Sequence, residues 1–374
     1  MAGLGMTVAL RVLRGSGPAV LGRWAVVAGA SAGTGLLLLC SLGWALAHPQ
    51  RGSYDALVRL AWCVVPLVVT VQLASAVGRA QPAGWPRTGL AAVGLGRTAV
   101  VLLSVANSAV VCAVGSVGAL LVFLHLRGDV TGVPFHGIGP GVLAAGKPLP
   151  LAGAVTLLAL VPVAAAATSA AGLRPARIPS ADAPGGLPWG AALAVIGLAL
   201  EVTAPRGHAL PLPSGLGSVP PGSVGGWLVT TTGMMLAGPG LVHACGRLLV
   251  GLRPNAVRLL AGRALQAECR RAGRPLALLS ATAAAFLATY DLHHPLGPLT
   301  TFAAVLVAVC VLATSCLALL EGRETRTPTA QALRELGASP TLLRTSTALA
   351  AAALLAAAVP LTLLIATLSS IPAE

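Results

Sequence analysis

Charge is scarce in this sequence: only 9% of its 374 residues are Asp, Glu, Lys or Arg, where a soluble domain usually carries about 25%. With 56% of the residues hydrophobic, that shortage excludes a water-soluble globule, because there is too little polar surface to cover the apolar mass. Aromatic residues are few as well, at 3%. The apolar mass is therefore Ala, Leu, Val and Gly, small residues that let helices approach closely inside a bilayer. Lysine is nearly missing, with Lys147 alone against 23 arginines, a bias that points to GC-rich bacterial coding and carries no mechanism. Among seven cysteines there is no CxxC pair and no neighbouring His/Cys cluster; Cys40, Cys63, Cys112, Cys310 and Cys316 lie in apolar runs and read as small buried hydrophobes.

What the sequence does contain is long hydrophobic runs. A spanning helix needs about 20 predominantly apolar residues, and the runs at 24–47, 57–78, 98–126, 151–172, 187–203, 227–246, 276–290, 299–320 and 345–368 predict about nine. Three arginines in the first 23 residues, followed by an apolar stretch too long for a signal peptide, predict a retained first anchor. Cytoplasmic loops keep an excess of Lys and Arg. With the N-terminus inside, only Arg51, Arg59, Arg127, Lys147 and Arg206 fall outside, and the other 19 basic residues fall inside. The net charge of +14 is thus spread between spans, without the single water-facing basic surface that a nucleic-acid partner needs. Seven arginines between residues 246 and 276 predict a loop anchored on anionic lipid headgroups.

The expected fold is all-α, a polytopic transmembrane bundle with two weakly similar three-helix units. Helix one ends at His48-Pro49 and helix seven at His294-Pro295, and both are followed by a short loop, a helix and a basic segment. Residues 1–128 form an N-terminal unit on this reading, 129–262 a central region, and 263–374 a C-terminal unit.

Signals for catalysis are weak. Residues 141–148 imitate a phosphate-binding loop around Lys147, but Pro148 stands where a hydroxyl should hold magnesium, and no strand precedes it. His293 and His294 beside Asp291 lack the convergent third and fourth ligands of a metal site unless His48 and Asp55 join them, so polar helix-end residues are the favoured reading. Glu201 lies near the outer end of the fifth run, and His243 near the inner end of the sixth. No run carries an ionisable residue at its centre, which argues against a proton-relay carrier. No catalytic, cofactor or metal residues are assigned.

The most informative stretch is residues 321–340, EGRETRTPTAQALRELGASP, before the last span. Thr327 caps and Pro328 starts a short helix on this reading; Leu333 and Leu336 share one face, Gly337 stops it, Ser339 caps, and Pro340 begins the final span. An amphipathic element of this kind rests on the inner membrane surface or fits a groove on a cytoplasmic partner.

Here the chain resembles the FtsX-like family of ABC transporter permeases, whose last cytoplasmic loop reads approximately R-E-I-A-x-L-R-A-L-G-A-S. Leu333, Arg334, Leu336, Gly337, Ala338 and Ser339 match; Pro328, Thr329 and Glu335 depart from the pattern. The resemblance implies that Thr329 and the residues from Leu333 through Arg334, Glu335, Leu336, Gly337 and Ala338 to Ser339 couple to an ATPase. It also implies a degenerate second coupling loop matching at Arg87, Leu95 and Gly96. It predicts a non-catalytic permease subunit in a bacterial cell membrane, in contact with lipid and served by a separate cytoplasmic ABC ATPase. Two assemblies fit, a homodimer and a single two-repeat chain. The loops at 48–56 and 291–298 are too short for the extracytoplasmic domain that members often carry. The alternative reading is an ATPase-independent carrier or channel lined by Thr230, Thr231 and Thr232.

Overall fold

A computed structural model describes residues 18–79, 97–128, 148–172, 185–203, 210–211, 218–219, 221–251, 255–291 and 298–370. In chain order the helices are α1 (Pro18–Ala47), α2 (Gly52–Trp62), α3 (Val64–Arg79), α4 (Arg97–Arg127), α5 (Leu151–Gly172), α6 (Gly186–Thr203), α7 (Pro221–Gly251), α8 (Ala256–Asp291), α9 (Pro298–Glu335) and α10 (Pro340–Ser370). Among the described residues the sole strand pairing is a two-residue antiparallel ladder, β1 (Leu210–Pro211) with β2 (Ser218–Val219). The fold is all-α.

Eight stretches among the described residues are long and apolar enough to cross a membrane: Val20–Ala47, Asp55–Gly78, Val105–Arg127, Leu151–Ala171, Gly186–Thr203, Val224–Gly251, Pro298–Arg323 and Pro340–Leu368. The remaining run expected from the sequence, 276–290, is the second half of α8. Their surfaces are inverted relative to a soluble protein. Leu102, Val114, Leu151, Trp189 and Val195 are exposed, while Ser31, Thr34, Thr70, Ser108 and Ser116 are buried. Large apolar groups facing outward all round a set of helices need a hydrocarbon solvent. The chain is a multi-pass membrane protein.

The helices pack as two compact units, one of Met1–Arg177 with Leu296–Cys310, the other of Ile178–Pro295 with Val311–Glu374. In the first, Leu39 and Cys40 of α1 meet Ala119 and Phe123 of α4 and Ala154 and Leu158 of α5. Polar clasps tie these helices where no water competes. The Ser31 hydroxyl donates to the Cys112 carbonyl at 2.7 Å, the Ser116 hydroxyl donates to the Leu158 carbonyl at 3.2 Å, and the Thr34 and Thr70 hydroxyls share a 2.8 Å hydrogen bond. Pro66 explains the break between α2 and α3. It has no N–H for the Trp62 carbonyl, so the Cys63 amide turns back to Leu60 at 3.0 Å before the helix resumes. At the end of α1, His48 stacks on Trp44 with ring centres 4.7 Å apart, and the Arg59 guanidinium lies 3.8 Å over the Trp44 ring.

In the second unit α6 and α7 run antiparallel along a seam with almost no side chains. Small residues recur at spacings of four and three: Gly190, Ala194 and Gly197 on α6; Gly226, Thr230, Gly233 and Ala237 on α7. A Cβ built on Gly190 would lie 2.6 Å from the Gly233 carbonyl oxygen, and one on Gly197 2.6 Å from that of Gly226. Backbone thus rests on backbone, the close approach that small residues permit between helices in lipid. α8 then packs between α7 and α10: Val242 meets Ala261, Leu265, Cys269 and Ala350, and further along Met234 meets Ala277, Ala284, Ile365 and Ala366.

Two sequence expectations are corrected here. The arginine-rich stretch is not a loop. From Ala256 onward it is the first half of α8, because Ala, Leu, Arg, Gln and Glu dominate it and its Ala261, Leu265 and Cys269 face has partners on α7 and α10. Nor do Thr327 and Pro328 start a new helix. Both lie inside α9, a single helix of 38 residues; Pro328 removes one backbone donor, and helix formers on either side, Arg323, Glu324 and Arg326 before it and Ala330 to Leu333 after it, carry the helix past it.

Candidate functional site

The end of α9 and the turn into α10 form an exposed polar element of the second unit. Gly337 adopts φ of 91°, a conformation in which a side chain would be strained. Its N–H donates to the Arg334 carbonyl at 2.9 Å, and the Ala338 N–H donates to the Leu333 carbonyl at 2.9 Å. That pair of bonds is the Schellman arrangement, which satisfies the last carbonyls of a helix and needs a left-handed residue at this position. Gly337 is the stop read from the sequence. Ser339 is likewise the cap expected: its hydroxyl accepts the Leu342 N–H at 3.3 Å, and Pro340 begins α10.

The expected coupling residues are brought together on this tip. Leu333 and Ala338 are half-buried, whereas Thr329, Arg334, Glu335, Gly337 and Ser339 are exposed. Leu336 is 84% exposed, the highest value among the large exposed hydrophobic residues. A leucine presented to solvent between Glu335 and a rigid glycine stop loses burial that a partner groove would restore, worth about 1.5–3 kcal/mol. Arg87, Leu95 and Gly96, assigned to a second coupling loop, lie outside the described residues.

One ion pair holds the base of this tip. Arg326 of α9 grips Glu268 of α8 with both prongs of its guanidinium, Nε to Oε1 at 2.6 Å and Nη2 to Oε2 at 2.5 Å. The fork-to-carboxylate geometry fixes direction as well as distance. Gly322, one turn earlier on α9, passes close enough that a Cβ there would sit 3.4 Å from the same carboxylate. Both side chains keep some solvent contact, so the pair is worth about 1 kcal/mol or less. Glu268→Gln should therefore lower the thermal midpoint only slightly, while raising proteolytic cutting within residues 321–336; equal cutting in variant and parent would remove Arg326 as the anchor. Sequence reading missed this pair, since nothing in the spacing of residues 268 and 326 marks them as neighbours.

Other candidates do not converge. Among the described residues no group of three His, Cys, Asp or Glu side chains is placed to hold a metal. The His48 Nδ1–H donates to the Trp44 carbonyl at 3.1 Å, a packing role, and His293, His294 and Lys147 lie outside the described residues. Thr231 and Thr232 donate to their own helix, to the Trp227 and Leu228 carbonyls at 2.8 Å each, and Thr230 is buried against Gly197. These three hydroxyls do not line a common path. Glu201 is half-buried near the end of α6, where Gly226 passes closest. No family model, curated protein or solved structure matches the chain.

Proposed function

We propose that the chain is the permease subunit of an ABC transporter, with its N-terminus in the cytoplasm of a bacterial cell, and that a separate ATPase subunit grips the α9–α10 turn. The observation that carries this reading is the exposed, doubly capped tip with Leu336 at its apex. It fits a groove-seeking helix end, a recurrent way for one protein to hold another. The resemblance of residues 333–339 to the last cytoplasmic loop of FtsX-like permeases supports the same assignment. The chain itself does no chemistry on this reading. Hydrolysis belongs to the partner, and the permease converts its closure into movement of α9 and α10 for export or for signalling across the membrane.

Deleting residues 333–337 tests it. Copurification with an ATPase encoded beside this chain should be lost while membrane insertion is kept. Association that survives the deletion unchanged would overturn the reading. An ATPase-independent carrier would instead move its substrate in liposomes containing this chain alone.

A further inference from the structure

The helices that build the second unit are longer than a bilayer requires. A hydrocarbon core of about 30 Å takes about 20 helical residues, whereas α7 has 31, α8 36, α9 38 and α10 31. Contacts show at which end the excess lies. Glu268 of α8 grips Arg326 of α9, and Leu265 and Cys269 of α8 cluster with Val242 of α7 and Ala350 of α10, so Val242, Glu268, Arg326 and Ala350 share one level. Charge marks that level as the edge of the apolar layer, because on α8 no charged residue follows Arg274 until Asp291, and on α9 none precedes Glu321. α7 and α10 remain apolar over 28 and 29 residues, Val224–Gly251 and Pro340–Leu368, so composition does not locate their exit and their contacts with α8 do. Residues 221–242 of α7 and 350–370 of α10 are left within the layer, each about the length that crosses it.

Beyond that level run residues 243–251 of α7, 256–267 of α8, 327–335 of α9 and 340–349 of α10. At 1.5 Å per residue they project roughly 14 to 18 Å, and the headgroup layer is about 5 to 8 Å deep, so they stand in water. They are packed, not frayed: a Cβ on Gly246 would lie 2.7 Å from the Gly262 carbonyl oxygen, and Ala261 and Leu249 extend the Val242 cluster. Arg263 and Arg344 sit about 8 to 9 Å past the edge, both exposed. Helical side chains lean toward the N-terminus of their helix, which on α8 and α10 is the end away from the bilayer. Both guanidiniums are therefore carried past the lipid phosphates, toward the level of the α9–α10 turn. Among the described side chains of this head Arg247 and Arg334 are exposed too, against Glu335 as the one exposed acid.

We propose that these ends form a basic head clear of the membrane and that an acidic face of the ATPase seats on it, meeting Arg263 and Arg344 while its groove takes Leu336. The proposal rests on the permease reading and widens the grip from the turn to the head. Lipid phosphate lies too shallow for these two arginines. A nucleic acid would answer the arginines but leave Leu336, 84% exposed, facing water. An acidic protein surface with an apolar groove answers both. Charges at the rim of such a contact act chiefly on the rate of encounter.

The test follows association of the purified ATPase, encoded beside this chain, with the full chain in phosphatidylcholine nanodiscs. The association rate of the parent should fall steeply with added salt. In R263Q/R344Q it should drop on the order of tenfold at low salt, with little change in the dissociation rate. R263K/R344K should restore it, and R270Q/R271Q, altered at the level of the apolar edge, should match the parent. If the glutamine variant fails to fold, the salt dependence of the parent decides alone, and a rate indifferent to salt overturns the proposal. Equal rates in parent and R263Q/R344Q, with Leu336→Glu still weakening binding, would overturn the charged contact and leave the turn as the handle. A parent that does not bind the ATPase would remove the permease reading itself. Slowing of R263Q/R344Q that appears only when phosphatidylglycerol is present would assign the two arginines to lipid and equally overturn the proposal.

Discussion

Gly190→Leu should prevent α6 and α7 from pairing, and Gly190→Ala should lower stability by about 2–3 kcal/mol, the upper part of the range for forcing atoms into a filled interface. The reason is geometric. The nearest atoms to a new Cβ are backbone, the Gly233 carbonyl at 2.6 Å and the amide of Ala237, and backbone has no rotamer into which it can retreat. Neither helix is free to back away, because Gly197 and Gly226 hold the next contact along the seam equally tightly. Gly118→Ala on α4 is the matched control, since a Cβ there meets nothing within 4 Å. Thermal midpoints of the purified protein in detergent measure both. If Gly190→Ala and Gly118→Ala melt together, the seam is not the close backbone contact described.

Leu336→Glu should separate folding from partnership. The side chain is 84% exposed, and substitution at such a site usually changes stability by less than about 0.5 kcal/mol. Binding of the ATPase should weaken on the order of tenfold to a hundredfold, the worth of one buried leucine, with a further penalty for placing a carboxylate in an apolar groove. Titration of the ATPase onto the reconstituted chain reads this directly. An unchanged dissociation constant would mean that the tip is not the handle, even if deletion of residues 333–337 had an effect through misfolding.

How far these features were legible beforehand depends on whether the deciding contacts are local. Gly337 and Ser339 were read correctly because a helix stop and a cap are determined within five residues by hydrogen bonds the backbone must make. The apolar runs were readable for the same reason, since lipid imposes its length on each helix separately. Pro328 misled because its local meaning, a helix start, is overridden by helix formers on both sides. The arginines after residue 246 misled because charge in a window suggests a loop, whereas α8 is held by Ala261, Leu265 and Cys269 against helices far away in sequence. Their 263, 270, 274 spacing was present as a helical signal and would have been found by testing a basic stretch for a period of 3.6. The seam between Gly190 and Gly233 was also visible as a pattern of four and three. Its partner was not, since glycine carries no side chain to announce what it meets.

The continuity of α9 has a mechanical consequence. From Val311 to Glu335 it is one continuous helix, and the Glu268 clasp catches it at Arg326, partway along. About 15 Å of helix extends from that clasp to the tip and about 22 Å extends the other way, at 1.5 Å per residue. A displacement imposed at Leu336 therefore reaches the level of Val311 along one helix, and the clasp passes part of it to Glu268 on α8.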